Sequence, residues 1–256
     1  MKRVATALIL IPVFAYLILW APQWAFMTAL AAVALLCFHE YSGLVSLHAI
    51  AKPGLFGYAA GLALLFAPQN GVAFLPLIAL LALCLALRTR DLPEALPFAA
   101  CLTFGVIYIF GSLRSAADLR AISAYWCLFA LSLNWAGDIA AFYVGRLIGR
   151  HKLAPRISPA KSWEGAVASV IASVIYAALY FPRLLPAVPW WEALSVAAIG
   201  NAAGQLGDLS ESALKRGAGV KDSGSFLPGH GGWLDRLDSS LFALPVVYLL
   251  VSAFRP

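Results

Sequence analysis

The chain has 256 residues, 62% of them hydrophobic and 12% charged, with a formal net charge of +6 and a mean hydropathy of +0.85. That balance excludes an ordinary soluble domain and points to a protein that crosses a membrane repeatedly. The basic excess would also suit nucleic acid, but the cations flank apolar runs, so anionic lipid heads and nucleotide phosphates are the expected partners and nucleic acid is not.

In chain order, apolar stretches lie near residues 4–20, 24–47, 54–67, 71–87, 96–111, 122–144, 163–181, 191–213 and 238–254. They cross, or nearly cross, a hydrocarbon core ~30 Å thick, the third and fifth being short. The pattern predicts an all-α fold, a polytopic transmembrane helical bundle of about nine spans. No soluble domain fits between the stretches and no repeat is visible, so residues 1–256 read as a single integral membrane domain. With the N-terminus inside, fourteen of the eighteen lysines and arginines fall on the inner side, leaving Arg114, Arg120, Arg183 and Arg255 outside. The positive-inside rule therefore places the N-terminus in the cytoplasm. Met1-Lys2-Arg3 before an apolar run also resembles a secretory signal. The run is long and further spans follow at once, so it reads as a retained first anchor. Cys37, Cys84, Cys101 and Cys127 lie in apolar runs without paired ligand spacing and read as small buried hydrophobes. Trp20, Trp24, Trp190 and Trp191 sit at stretch ends, where interfacial anchoring explains them. Glu40, at the inner end of the second stretch, is expected to snorkel to the interface, and His39, His48 and His151 read as incidental.

The expensive residues lie in the second half. Asn134 and Asp138 are one turn apart in the sixth stretch and face one way. In the eighth, Asp208 costs roughly 2.5–3.5 kcal/mol to place inside a membrane helix, so it needs a partner or a polar cavity. Asp208, Glu211, Ser212 and Lys215 share one helix face, which Asn201, Gly204 and Gln205 extend. An interhelical polar clamp, with Gly204 and Gly207 allowing close packing, is the simpler role for this face. Between Asp138 and the seventh stretch, Lys161 stands beside Ser162, which is placed to N-cap a helix and so to form a phosphate site.

From Ser212 to Asp238 the chain reads SALKRGAGVKDSGSFLPGHGGWLDRLD. Lys215, Arg216, Lys221 and Arg236 are anion-binding cations; Asp222, Asp235 and Asp238 are candidate ligands for a hard cation. Asp235 and Asp238 reach one face if the last helix starts near Leu234. The glycines beside His230 let backbone amides approach a phosphate closely. Phosphate-loop, dinucleotide, nucleophile-elbow and zinc-helix motifs are absent from the sequence, so a nucleotide site here must be built from helix ends and loops.

This block resembles the signature of the CDP-diacylglycerol synthases (phosphatidate cytidylyltransferases): Ser212, Lys215-Arg216, Lys221-Asp222, His230-Gly231-Gly232 and Asp235-Arg236-Leu237-Asp238 stand at the family's spacing. Trp233 departs from it, where the family usually has an aliphatic or smaller residue. The resemblance covers roughly residues 130–240. The family's Asp-containing span runs into Gly-Arg and then a Ser-Pro-Lys-Lys-Thr-Trp-Glu-Gly-like block, here Ser158 to Gly165, with Ala160 for the first lysine and Ser162 for the threonine. It implies that CTP and phosphatidate give CDP-diacylglycerol and pyrophosphate, in a bacterial inner membrane with the site facing the cytoplasm. Residues 1–120 would be scaffold and 121–256 would carry the site.

On that reading Asp208, Asp235 and Asp238 hold Mg2+, with a second cation left open, and Lys221 joins them in catalysis. Lys161, Ser162, Ser212, Lys215, Arg216, Asp222, His230, Gly231, Gly232, Arg236, Asn134 and Asp138 would contact substrate, and a homodimer is compatible with it. Asp222 could instead orient a lysine. Two other readings stay open at this stage. A CTP-using polyprenol kinase would need a base near an acceptor hydroxyl. A secondary transporter would use Asp138 and Asp208 as ion sites, although no inverted repeat is visible.

Overall fold

The computed structural model describes residues 2–68, 74–89, 91–226 and 231–254, with side chains from residue 11 onward. Among these the chain is mostly helical: α1 Lys2–Leu19, α2 Gln23–Leu47, α3 Gly54–Leu65, α4 Phe74–Ala86, α5 Ala95–Gly105, α6 Ser112–Ile122, α7 Ala124–Ile148, α8 Trp163–Leu184, α9 Trp190–Gly217 and α10 Leu234–Phe254. Five helical runs among the described residues are long and apolar enough to cross a membrane: 23–47, 92–122, 124–148, 163–184 and 234–254. Helices α3 and α4 are apolar but shorter. Helix α9 is long, but Asn201, Gln205, Asp208 and Glu211 make it too polar for that set.

Two features differ from the sequence expectation. The fifth stretch does not stop at 111: a π-helical segment, Val106–Gly111, carries it directly into α6. Arg114 and Arg120, expected outside the membrane, therefore lie on a helix and bond to backbone carbonyls, Arg114 to Leu65 O at 3.2 Å and Arg120 to Ile18 O at 2.7 Å. The second difference is a small antiparallel ribbon, β1 Lys152–Ala154 with β2 Ser158–Ser162, in register Lys152 to Ser162 and Ala154 to Ser158.

The chain forms two compact units. The first comprises residues 1–17, 21–114 and 214–236. Its core is aromatic: the Phe38 ring lies 4.9 Å from Tyr58 and 5.4 Å from Phe110. Helix glycines admit those rings, since a Cβ on Gly57 would lie 2.7 Å from Phe38, and one on Gly61 would run into Phe110. The Tyr41 hydroxyl donates to Cys101 O at 2.8 Å.

The second unit comprises residues 18–20, 115–213 and 237–256. Here α7 and α8 pack through Trp126, Phe129, Tyr180 and Phe181, with Phe129 and Phe181 at 4.7 Å. Ser132 and Tyr176 share a 2.7 Å hydrogen bond, and Tyr180 donates to Tyr125 O at 2.7 Å. Small residues let backbones meet, as they do between helices in lipid. A Cβ on Gly165 would lie 3.4 Å from Gly145 Cα, and one on Gly207 would lie 2.5 Å from the Asp238 carbonyl oxygen.

The glycines separate packing from propensity. Gly207→Val drives a side chain into the α10 backbone and should lower the melting temperature of detergent-purified protein, on the scale of ~1–3 kcal/mol of overpacking. Gly43→Ala, within α2 and with nothing within 4 Å of the added Cβ, should hold or raise it, since Gly costs roughly 0.5–1 kcal/mol against Ala inside a helix.

Candidate active site

The polar residues of the second unit form a file across α7, α8 and α9. Asn201 Nδ2 donates to Ser169 Oγ at 3.1 Å and to Asn134 Oδ1 at 3.4 Å. Gln205 Nε2 donates to Asn201 Oδ1 at 2.7 Å and to Ala166 O at 3.1 Å. Asn134, Ser169 and Asn201 are buried, and the helix glycines make room: a Cβ on Gly204 would meet the Asn134 amide. The interhelical clamp, the alternative role for this face, matches its first part, where the amides of Asn201 and Gln205 bond across helices.

One turn further along α9 the chemistry becomes ionic. Lys161 Nζ lies 2.5 Å from Asp208 Oδ2, the side chains being 26% and 32% exposed. Ser212 Oγ donates to Asp208 Oδ1 at 3.4 Å, and Asp138 lies within electrostatic range of both Asp208 and Lys161. The ribbon explains how Lys161 is set. Ser162 accepts from Gly165 N at 3.2 Å and caps α8, as its position before Trp163 predicts. Trp163 N bonds back to His151 O at 2.9 Å, and His151, read as incidental, meets Glu164 at 2.7 Å. The segment is thus closed on itself, with Lys161 on its β2 strand.

In the first unit, Lys215 Nζ lies 2.5 Å from Asp235 Oδ1, with side chains 9% and 7% exposed. Asp235 Oδ2 accepts from Ser223 N at 2.9 Å and Gly232 N at 2.8 Å. Gly231 has φ +77°, which favours glycine, and a Cβ there would lie 2.7 Å from Asp235 Oδ2. Arg216 donates to Val220 O at 3.0 Å, closing the turn after α9. Lys221, Asp222 and Arg236 are exposed around this knot. His230 lies outside the described residues.

Glu40 corrects the sequence expectation. It does not snorkel: it is 7% exposed, accepting from Trp233 N at 3.0 Å, Leu234 N at 2.9 Å and Ser223 Oγ at 2.9 Å. The signal was available, because an acidic residue in an apolar run needs a partner wherever it stands.

The three carboxylates assigned to a cation are divided between the units, Asp235 in the first, Asp208 and Asp238 in the second. Asp238 Oδ1 accepts from Ser239 N at 2.6 Å. Among the described residues no three His, Cys, Asp or Glu side chains form a ready-made cation cage. Mg2+ usually takes one or two carboxylates together with phosphates and water, so such a cage is not required for it. Of the three, Asp208 is part-exposed and offers oxygen ligands, although Lys161 stands at its Oδ2.

The comparisons with known proteins agree with this chemistry. The sequence model of the cytidylyltransferase family matches residues 1–254. The chain belongs to that family. It is 34% identical over 229 residues, 86% of each chain, to a protein of Staphylococcus aureus (strain COL) named phosphatidate cytidylyltransferase. A protein of that name from Bacillus subtilis (strain 168) is 31% identical over 266 residues, covering 99% of this chain and 98% of its own. Another from Staphylococcus haemolyticus is 34% identical over 256 residues, covering 97% and 98%.

Asp208→Asn keeps the shape and removes the charge that faces Lys161. The half-exposed pair contributes little to stability, so the melting temperature should stay within a few degrees of the parent. Cytidylyl transfer should fall by at least ~10²-fold, the scale of losing a transition-state electrostatic contact. Full activity would return Asp208 to the clamp.

Proposed function

We propose that this chain is a phosphatidate cytidylyltransferase, making CDP-diacylglycerol and pyrophosphate from CTP and phosphatidate. The observation that carries the reading is the family match over residues 1–254, joined to a Ser212–Asp238 block whose cations and glycines are arranged around buried carboxylates. A phosphatidate oxygen attacks the α-phosphorus of CTP, forming the new P–O bond while the bond to the β-phosphate breaks and pyrophosphate leaves. The nucleophile is already anionic, so no serine, cysteine or strong base is needed; positioning and charge neutralisation dominate.

Lys215, Arg216, Lys221 and Arg236 bind phosphates, with Lys161 and Ser162 at the α8 N-terminus and the backbone of Gly231-Gly232 adding to them. Asp222 and His230 contact substrate. Asn134, Asp138 and Ser212 hold the surroundings of Asp208 polar. Asp208, Asp235 and Asp238 are the carboxylates proposed to serve Mg2+, which when bound would neutralise phosphate charge on CTP and on the leaving pyrophosphate. A second cation and a homodimer are compatible with this reading. Nucleic acid has no place in it.

The surroundings proposed for the site follow the charge pattern. The chain has about nine spans in a bacterial inner membrane, with the N-terminus and the 212–238 block in the cytoplasm, since fourteen of the eighteen basic residues then lie inside. Residues 1–120 act as scaffold, and 121–256 supply the rest of the site.

Purified protein given CTP, phosphatidate and Mg2+ should move labelled cytidine into lipid and release pyrophosphate, with no product when any of the three is omitted. CDP appearing with a newly phosphorylated lipid would overturn the reading in favour of a kinase. Orientation is tested separately. A cysteine at the exposed Ser225, with the native cysteines removed, should react with an impermeant maleimide only in opened cells. Labelling in intact cells would reverse the topology.

A further inference from the structure

The second span helix, α2, carries a carboxylate with no role in the reaction as described. Glu40 lies near the end of an apolar helix, and its neighbours Phe38 and Tyr41 are buried. Its three donors lie 183 to 194 residues away in sequence. Two are the backbone N–H groups of Trp233 and Leu234, where α10 begins, and the third is the Ser223 hydroxyl at the other end of the glycine-rich segment. Among the described residues no cation pairs with Glu40; its charge is met by N–H and O–H donors at a helix N-terminus, where the helix dipole favours an anion.

The glycines of the segment fit around this carboxylate. A Cβ on Gly224 would lie 2.7 Å from Glu40 Oε1, and one on Gly232 would enter the space of the Glu40 carboxylate and the Ser223 hydroxyl. Asp235 repeats the tie locally, bonding Ser223 N and Gly232 N through one oxygen. Two carboxylates, one local and one delivered by a distant helix, therefore bind together the ends of the segment that starts beside Lys221-Asp222 and finishes beside Arg236.

We propose that Glu40 is a positioning residue for cytidylyl transfer, whose carboxylate ties Ser223 to the start of α10 and so fixes the flanking Lys221 and Arg236 in the arrangement that receives substrate phosphates. The proposal rests on the reading that this segment is the phosphate-binding one. It predicts a particular kinetic signature. Without the tie the receiving conformation is only fractionally populated, so the apparent substrate affinity falls by that fraction, while saturating substrate restores it. A residue that merely holds the fold behaves differently: its loss reduces the number of active molecules, lowering apparent kcat at unchanged KM.

Glu40→Gln is isosteric, but its amide nitrogen turns a donor toward an N–H. In detergent-purified protein, KM for CTP or for phosphatidate should rise about tenfold with kcat within about twofold of the parent. Ser223→Ala, which leaves the two backbone bonds to Glu40 intact, should raise KM by about two- to fivefold, and should add less in the Glu40→Gln background than alone, the mark of coupled sites. Parent KM values for both substrates in Glu40→Gln, or a fall in kcat alone, overturn the proposal. If Glu40→Gln cannot be purified folded, Ser223→Ala decides by itself: raised KM supports the tie and parent KM overturns it. Lys221→Ala and Arg236→Ala run alongside. Parent kinetics in both would overturn the reading of the segment itself, whereas a defect in them beside a parent-like Glu40→Gln removes only Glu40.

Discussion

A carboxylate buried among apolar helices must be met by donors, and the first unit of this protein is arranged around that requirement. The desolvation of one acid inside a membrane helix costs roughly 2.5–3.5 kcal/mol on insertion scales. A hydrogen bond to a charged group returns about 1.5–3 kcal/mol, so two or three well-placed donors offset the cost and one does not. Glu40 has three. Asp235 has two backbone donors and a lysine. Asp208 has a lysine and a serine hydroxyl, and it is also the most exposed of these acids for which a side-chain value is decisive, at 32%.

The need for donors accounts for the glycines. Backbone N–H groups reach a carboxylate only if no side chain stands between them. Gly231 and Gly232 leave that space to Asp235 and Glu40. In the second unit the same economy of volume admits amides: Gly204 lies against Asn134, and Gly137 would carry a Cβ into Asn201 and Ser169. Glycine here serves close approach more than turning, and among the described residues of the block only Gly219 and Gly231 have positive φ.

The helical, apolar character of the chain and the polar positions of its second half were legible in the sequence, because period, charge and spacing are local properties. Ser162 as a cap needed only its neighbours, and Asn134, Asn201 and Gln205 needed only a helical wheel. Partners could not be read in the same way. Lys161 meets Asp208 across 47 positions, and Glu40 meets Ser223 across 183, so no window of sequence contains either pair. Glu40 was missed because a long side chain at a helix end can always be imagined reaching water; only the fold shows donors closer than the interface. The run through α6 was missed because Arg114, Asp118 and Arg120 look like a loop until the carbonyls that receive the arginines are known. The ribbon was missed because strands of three and five residues carry no period.

The pairing of lysines with acids bears on how an enzyme in an anionic membrane chooses its phosphate. Lys161 and Lys215 are each held by a carboxylate at 2.5 Å, so neither is a bare cation open to any passing headgroup. An anion that draws Lys215 away leaves Asp235, 7% exposed, behind, and an uncompensated buried charge is strongly unfavourable. On the proposed function, an anion that arrived with its own divalent cation would lessen that penalty, since the cation could balance the carboxylate. Nucleoside triphosphates travel with magnesium, and a lone lipid phosphate brings no such ion. On the proposed function, such a pair would disfavour an anion that brings no cation of its own.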